Sequence, residues 1–170
     1  MKKDRPLVLN AKELRISSPT TDYNLQQKTV VSSRNEIYII LDNVLDTYNI
    51  GSIFRLADAV AAKKIYLCGG TETPPNHRIK KASINTTEWV EWEYCSSASE
   101  AISNVKFQIP KIQIIAIEQA AMAVPFNTFE YKLPIALIVG HESDGISKEV
   151  LQICDGVVEL PMFGVNKSLN

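Results

Sequence analysis

Five short runs of apolar, largely β-branched residues recur along the chain, at 37–41, 65–68, 112–117, 135–139 and 157–160. Apart from Gln113 and Glu159 each run is apolar throughout, as expected of strands covered on both faces. Helical periodicity fills several of the gaps. Ile50, Ile53, Phe54, Ala57 and Ala61 share one face of a helix over 50–61. Ala98, Ala101, Ile102 and Val105 do so over 97–107, behind a serine-rich start suited to capping. Ser147 can cap a third helix that carries Val150, Leu151 and Cys154. Strand–helix alternation of this kind gives an α/β domain with a mostly parallel sheet and helices on both faces. Residues 90–94 alternate instead, which suggests an edge strand or a partly exposed extended segment.

At 170 residues the chain has the size of one domain. The polar, weakly patterned stretch 1–34 reads as an arm and 35–170 as the domain. Eighteen Lys and Arg against nineteen Asp and Glu leave a net charge of −1, which excludes a basic coat and leaves room for local patches. Two such patches exist. Lys2, Lys3, Arg5, Lys12 and Arg15 mark the arm, and His77, Arg78, Lys80 and Lys81 lie in an expected loop after Gly69-Gly70-Thr71. Cys68, Cys95 and Cys154 are odd in number and lack zinc or redox spacing, so reduced core thiols in a cytoplasm are expected. No apolar run nears the ~18 residues of a spanning helix, so no membrane is expected. His77 and His141 have no ligand companions at useful spacing, and no metal is expected either.

Sites in parallel α/β sheets collect beyond the C-terminal strand ends. This sequence places Asp42 to Gly51, Gly69-Gly70-Thr71, Glu118, Gly140-His141-Glu142 and Pro161 to Asn170 there. A dinucleotide fingerprint is excluded, because only Gly51 stands where three glycines are needed. Gly140 and Gly145 have phosphate-loop spacing, yet Ile146-Ser147 follows where a lysine is required. The same pair is one residue too far apart for a serine-hydrolase elbow.

Three segments remain: Asn49-x-Gly51-x-x-x-Arg55, Val139-Gly140-His141-Glu142-Ser143-Asp144-Gly145, and Leu160-Pro161-Met162-Phe163-Gly164-Val165-Asn166-Lys167-Ser168-Leu169-Asn170. In this order they resemble the three signature motifs of the SpoU (TrmH-like) RNA ribose 2′-O-methyltransferases of the SPOUT superfamily. The resemblance covers 36–170. It implies a C-terminal trefoil knot, S-adenosylmethionine as methyl donor, a homodimer, and an RNA substrate, tRNA ahead of rRNA. It makes Arg55 the central catalytic residue, with Asn49, Glu142, Ser168 and Asn170 orienting Arg55 and the ribose. Backbone around Gly140, Leu160, Met162 and Leu169 would cradle the cofactor, with Ile117 as a neighbour. Arg78, Lys80 and Lys81 would meet RNA. Family members continue past Ser-Leu-Asn into a C-terminal helix, so the chain is expected to extend beyond Asn170.

Plainer readings stand beside these. Arg55 could form a surface ion pair with Asp58, three residues on. Asn49 could cap a helix beginning at Ile50. Glu142 could be a solvated loop acid, and Gly145 a simple turn. Trp89 and Trp92 suit packing better than base stacking. The alternative functions are a non-catalytic RNA-binding module on a decayed methyltransferase fold, and a nucleotide-phosphate enzyme built on Gly140 to Gly145.

Overall fold

The computed structural model describes residues 34–165. In chain order its elements are β1 (Asn35–Asp42), α1 (Thr47–Ala59), β2 (Ala62–Cys68), α2 (His77–Ser83), a 3₁₀ turn (Thr86–Glu88) and β3 (Glu91–Cys95). Then follow α3 (Ala98–Gln108), β4 (Gln113–Ile117), β5 (Val124–Pro125), β6 (Ile135–Gly140), α4 (Lys148–Ile153) and β7 (Gly156–Glu159). The seven strands form one sheet in the order β3-β2-β1-β6-β4-β7-β5, with every neighbouring pair parallel.

All five apolar runs are strands, and the alternating segment at 90–94 is β3, at one edge of the sheet. The faces are divided as continuous apolar strands require. On one side Ile40, Ile114, Ala136 and Ile138 pack against Ala101, Ile102 and Val105 of α3 and Val150 of α4. On the other, Leu41, Ile65 and Leu67 meet Ile50, Phe54 and Ala57 of α1 and Ile79 of α2. A smaller cluster of Ile115, Ile135 and Val158 is closed by Phe129. Burying each of the Ile, Leu, Val and Phe side chains among these contributes roughly 1.5–3 kcal/mol. Cys68 and Cys95 belong to the first cluster, and burial raises the pKa of both thiols, as it does for Cys154, whose pKa reaches about 11.

Register positions the functional edge. Asp42 is paired with Gly140 on one side and Cys68 on the other, so β1, β6 and β2 end at one level. Asp42 itself is buried, with its carboxylate accepting from Asn43 Nδ2 at 2.9 Å and Ser147 N at 3.3 Å. Asn43 in turn accepts from Gly70 N at 2.9 Å. The connections after three strands are thereby tied together.

Three expectations need correction. The basic segment at 77–81 is helical, because Asn76 accepts from Arg78 N and Ile79 N and Ile79 anchors the turn in the core. The first helix begins at Thr47 and is capped by Asp46, so Asn49 lies inside it. Ser147 stands at the N-cap of α4 but makes no side-chain capping bond, its N–H being donated to Asp42. The two-residue strand β5 was not expected. Among the described residues no helix is long and apolar enough to cross a membrane.

Candidate active site

The site is built where β1 leads into α1 and β6 into its following loop. Asp46 Oδ1 accepts from Tyr48 N at 2.7 Å and Asn49 N at 3.3 Å, which starts α1. With capping done by Asp46, the Asn49 side chain is available for a distant partner. Its Nδ2 donates to Glu142 Oε1 at 3.1 Å, across 93 residues of chain. Glu142 also accepts from Asp46 N at 3.0 Å and Leu45 N at 3.2 Å. Burial pushes the Glu142 carboxyl up, but the hydrogen bonds from its own amide, Asp46, Leu45 and Asn49 outweigh that and hold it below its ordinary value of 4.5. The plain reading of Glu142 as a merely solvated acid is therefore overturned: this carboxylate bolts one strand end to another.

The loop bearing Glu142 is closed on itself. His141 and Gly145 form an antiparallel bridge, with N–H···O distances of 3.2 and 3.0 Å. His141 Nδ1 accepts from both Ser143 N and Asp144 N at 3.1 Å. Asp144 Oδ2 lies 3.6 Å from the same nitrogen. Gly145 has φ +68°, and a Cβ there would run into the Glu118 carboxylate. It is more than an ordinary turn glycine.

Arg55 lies six residues beyond Asn49, about 9 Å along α1. It is exposed, and it forms no ion pair with Asp58 or with any other described residue. Three of the expected cofactor-side residues lie at neighbouring strand ends: Gly140 closes β6, Ile117 closes β4, and Leu160 follows β7. Leu160 is exposed and Met162 half-buried, and residues 160–165 make no hydrogen bond to any described residue. Ser168, Leu169 and Asn170 lie outside the described residues, as does the arm apart from Arg34.

Arg78, Lys80 and Lys81 are exposed on α2. Lys80 pairs with Glu88 at 3.2 Å, which leaves Arg78 and Lys81 as the less engaged cations. No hydrogen bond or ion pair joins the three to the Asn49–Glu142 group. They lie on the helix next to the one that bears Arg55, since α2 packs directly on α1. Trp92 packs on the α1-side core, in keeping with the expected packing role. Among the described residues no three His, Cys, Asp or Glu side chains are grouped to hold a metal. Asp46 and the Asp42–Asn43 tie belong to none of the three sequence motifs. Asp46 was legible as an N-cap residue type, whereas the Asp42–Asn43 tie depends on strand order.

Comparison with known proteins fits this geometry. The family model for the SpoU rRNA methylase family matches residues 36–170. A tRNA (guanosine(18)-2′-O)-methyltransferase of Aquifex aeolicus is 28% identical over 141 residues, covering 81% of this chain and 64% of its own length. The crystal structure of an A. aeolicus TrmH/SpoU tRNA modifying enzyme superposes with a TM-score of 0.74 at 26% identity, over 88% of this chain and 75% of that one. An AdoMet-bound rRNA methyltransferase from Sinorhizobium meliloti gives 0.72 at 28% identity, over 81% and 52%. The chain thus spans less than two thirds of the A. aeolicus relative's sequence.

Proposed function

The chain belongs to the SpoU rRNA methylase family, and from that membership we propose that the protein transfers a methyl group from S-adenosylmethionine to a ribose 2′-hydroxyl of RNA, with tRNA the first candidate and rRNA the second. The observation that carries this is the Glu142 carboxylate, which joins the β6 loop to Asn49 and so ties the second motif to the helix that bears Arg55.

The residues present suit the donor. Exposed Leu160 and half-buried Met162 offer apolar cover, and the backbone of 160–165, which bonds to no other described residue, offers hydrogen-bond edges after β7, the strand next to β4. When bound, S-adenosylmethionine supplies an electrophilic sulfonium methyl. Arg55 then has one suitable task. A guanidinium is not deprotonated in a protein, so Arg55 is no general base. It binds the RNA phosphate and stabilises the negative charge that grows on the 2′-oxygen. The hydroxyl proton leaves to that phosphate or to water. Asn49 and Glu142 fix the first turn of α1, and with it the line along which Arg55 reaches. Holding the acceptor in attack geometry can supply ~7–11 kcal/mol of the barrier.

The same reading gives the C-terminal segment a place in a trefoil knot, makes the protein a homodimer and puts it in the cytoplasm; family membership supports the first two. Ser168 and Asn170 would complete the ribose side of the site, and Leu169 the cofactor side. The test is transfer of labelled methyl from S-adenosylmethionine to unmodified tRNA and rRNA pools by the intact protein and by Arg55→Ala. Label in one pool that is lost in the variant supports the reading. RNA binding without transfer by the folded parent replaces it with the non-catalytic RNA-binding module.

A further inference from the structure

Glu118 follows β4, two strands from the helix-bearing β1, and touches neither Asn49 nor Arg55. We propose that Glu118 is a positioning residue: its carboxylate sets the 141–146 loop and thereby holds Glu142 against α1. The inference rests on the methyltransferase reading for its effect on rate, and on the geometry alone for its effect on the loop.

Both carboxylate oxygens are engaged. Oε2 accepts from Ile146 N and Oε1 from Gln119 N, each at 2.8 Å. The Glu118 backbone is itself anchored, its N–H donating to Val158 O of β7 at 3.0 Å. The Ile146 amide is equally fixed, because the Ile146 side chain is buried in the core under α3 and α4. Packing leaves no slack between these points. A Cβ on Gly145 would strike the Glu118 carboxylate, and one on Gly140 would lie 2.5 Å from Ile146 N and 2.6 Å from Gly145 O. Between the bridged His141 and Gly145 lie only Glu142, Ser143 and Asp144, and the last two give their amides to His141 Nδ1. Glu142 is consequently the one loop residue whose contacts face α1, and Glu118 is the side chain that seats the far end of its loop.

Four variants of the intact protein test this: Glu118→Ala, Glu118→Gln, Gly145→Ala, and Glu118→Ala combined with Glu142→Ala. Amide exchange at Ile146, the Asn49 side-chain amide resonance, and methyl-transfer kcat and KM are the readouts. Glu118→Ala should speed Ile146 exchange, shift the Asn49 resonance, and lower kcat about tenfold while KM for RNA changes less than about twofold. Glu118→Gln keeps a carbonyl acceptor for the Ile146 amide and should recover most of kcat. Adding Glu118→Ala to Glu142→Ala should cost little more, because the two act in series. Gly145→Ala should imitate Glu118→Ala, and it carries the test if Glu118→Ala does not fold. Additive losses, equal losses in the Ala and Gln variants, or an unmoved Asn49 resonance would overturn the proposal. If the folded parent transfers no methyl, the functional reading fails by itself, and the Asn49 and Ile146 resonances still decide the role of Glu118.

Discussion

Arg55 is an exposed cation with no carboxylate partner among the described residues, on a helix whose first turn is locked to Glu142. Replacing it with alanine therefore removes charge without removing packing. Arg55→Ala should leave the melting temperature nearly unchanged and lower kcat by about 100- to 1,000-fold, the usual scale for a group that stabilises developing negative charge. A loss seen only in KM would make Arg55 a binding residue. Glu142 gives a second test, through pH. Its folded pKa lies below its ordinary 4.5, so its stabilisation is present above that value and is lost as pH falls through the folded pKa. The urea midpoint of the parent should exceed that of Glu142→Gln by a constant margin above about pH 5, and the margin should close as the solution becomes more acid. A margin independent of pH would show that the charge on Glu142 contributes nothing to the joint.

α1 is the element on which the motif residues depend, and two features fix where it starts and how it lies. Asp46 accepts two hydrogen bonds there, from Tyr48 N and Asn49 N. Asp46→Ala should cost about 1 kcal/mol in urea unfolding, the ordinary loss of an N-cap. It should also weaken methyl transfer, since the same turn carries Asn49. Farther along, Gly51 is the point where α1 and α2 touch: an added Cβ would lie 2.5 Å from Ala82 Cβ and 2.9 Å from Ile79 O. Gly51→Ala should destabilise by ~1–3 kcal/mol through overpacking. Calorimetry would read that as a lower melting temperature, and an unchanged one would mean that α2 yields. The periodicity of Ile50, Phe54 and Ala57 made this helix and its buried face legible. Its start was not, because two cap-type residues, Asp46 and Asn49, stand three apart, and only the partner at Glu142 shows which of them is free to look elsewhere.

At the scale of the whole molecule, the parallel sheet was legible because continuous apolar runs such as 135–139 and 114–117 leave no solvent face. Strand order was not legible. Nothing local says that β6 enters between β1 and β4, yet that insertion is what brings Glu142 to Asn49 and sets Gly140, Ile117 and Leu160 side by side. The helix α2 was hidden for another reason: its one fully buried apolar anchor, Ile79, is outweighed by His77, Arg78, Lys80 and Lys81 around it. Those charges now have a measurable consequence. With a net charge of −1 the molecule has no general attraction for RNA, so a binding face must be local. Arg78 and Lys81 lie on the helix packed against the one that bears Arg55, and Lys80 is already paired with Glu88. If RNA crosses α2 to reach Arg55, each phosphate that a variant no longer neutralises should flatten the log–log salt dependence of binding by ~0.7 for single strands or ~0.9 for duplex. Arg78→Ala with Lys81→Ala should then flatten the slope by roughly 1.4–1.8 in a filter-binding series, while Lys80→Ala changes it less. Weaker binding with an unchanged slope would mean that α2 supports the fold of the site without touching the backbone of the RNA, and that the phosphates are held elsewhere.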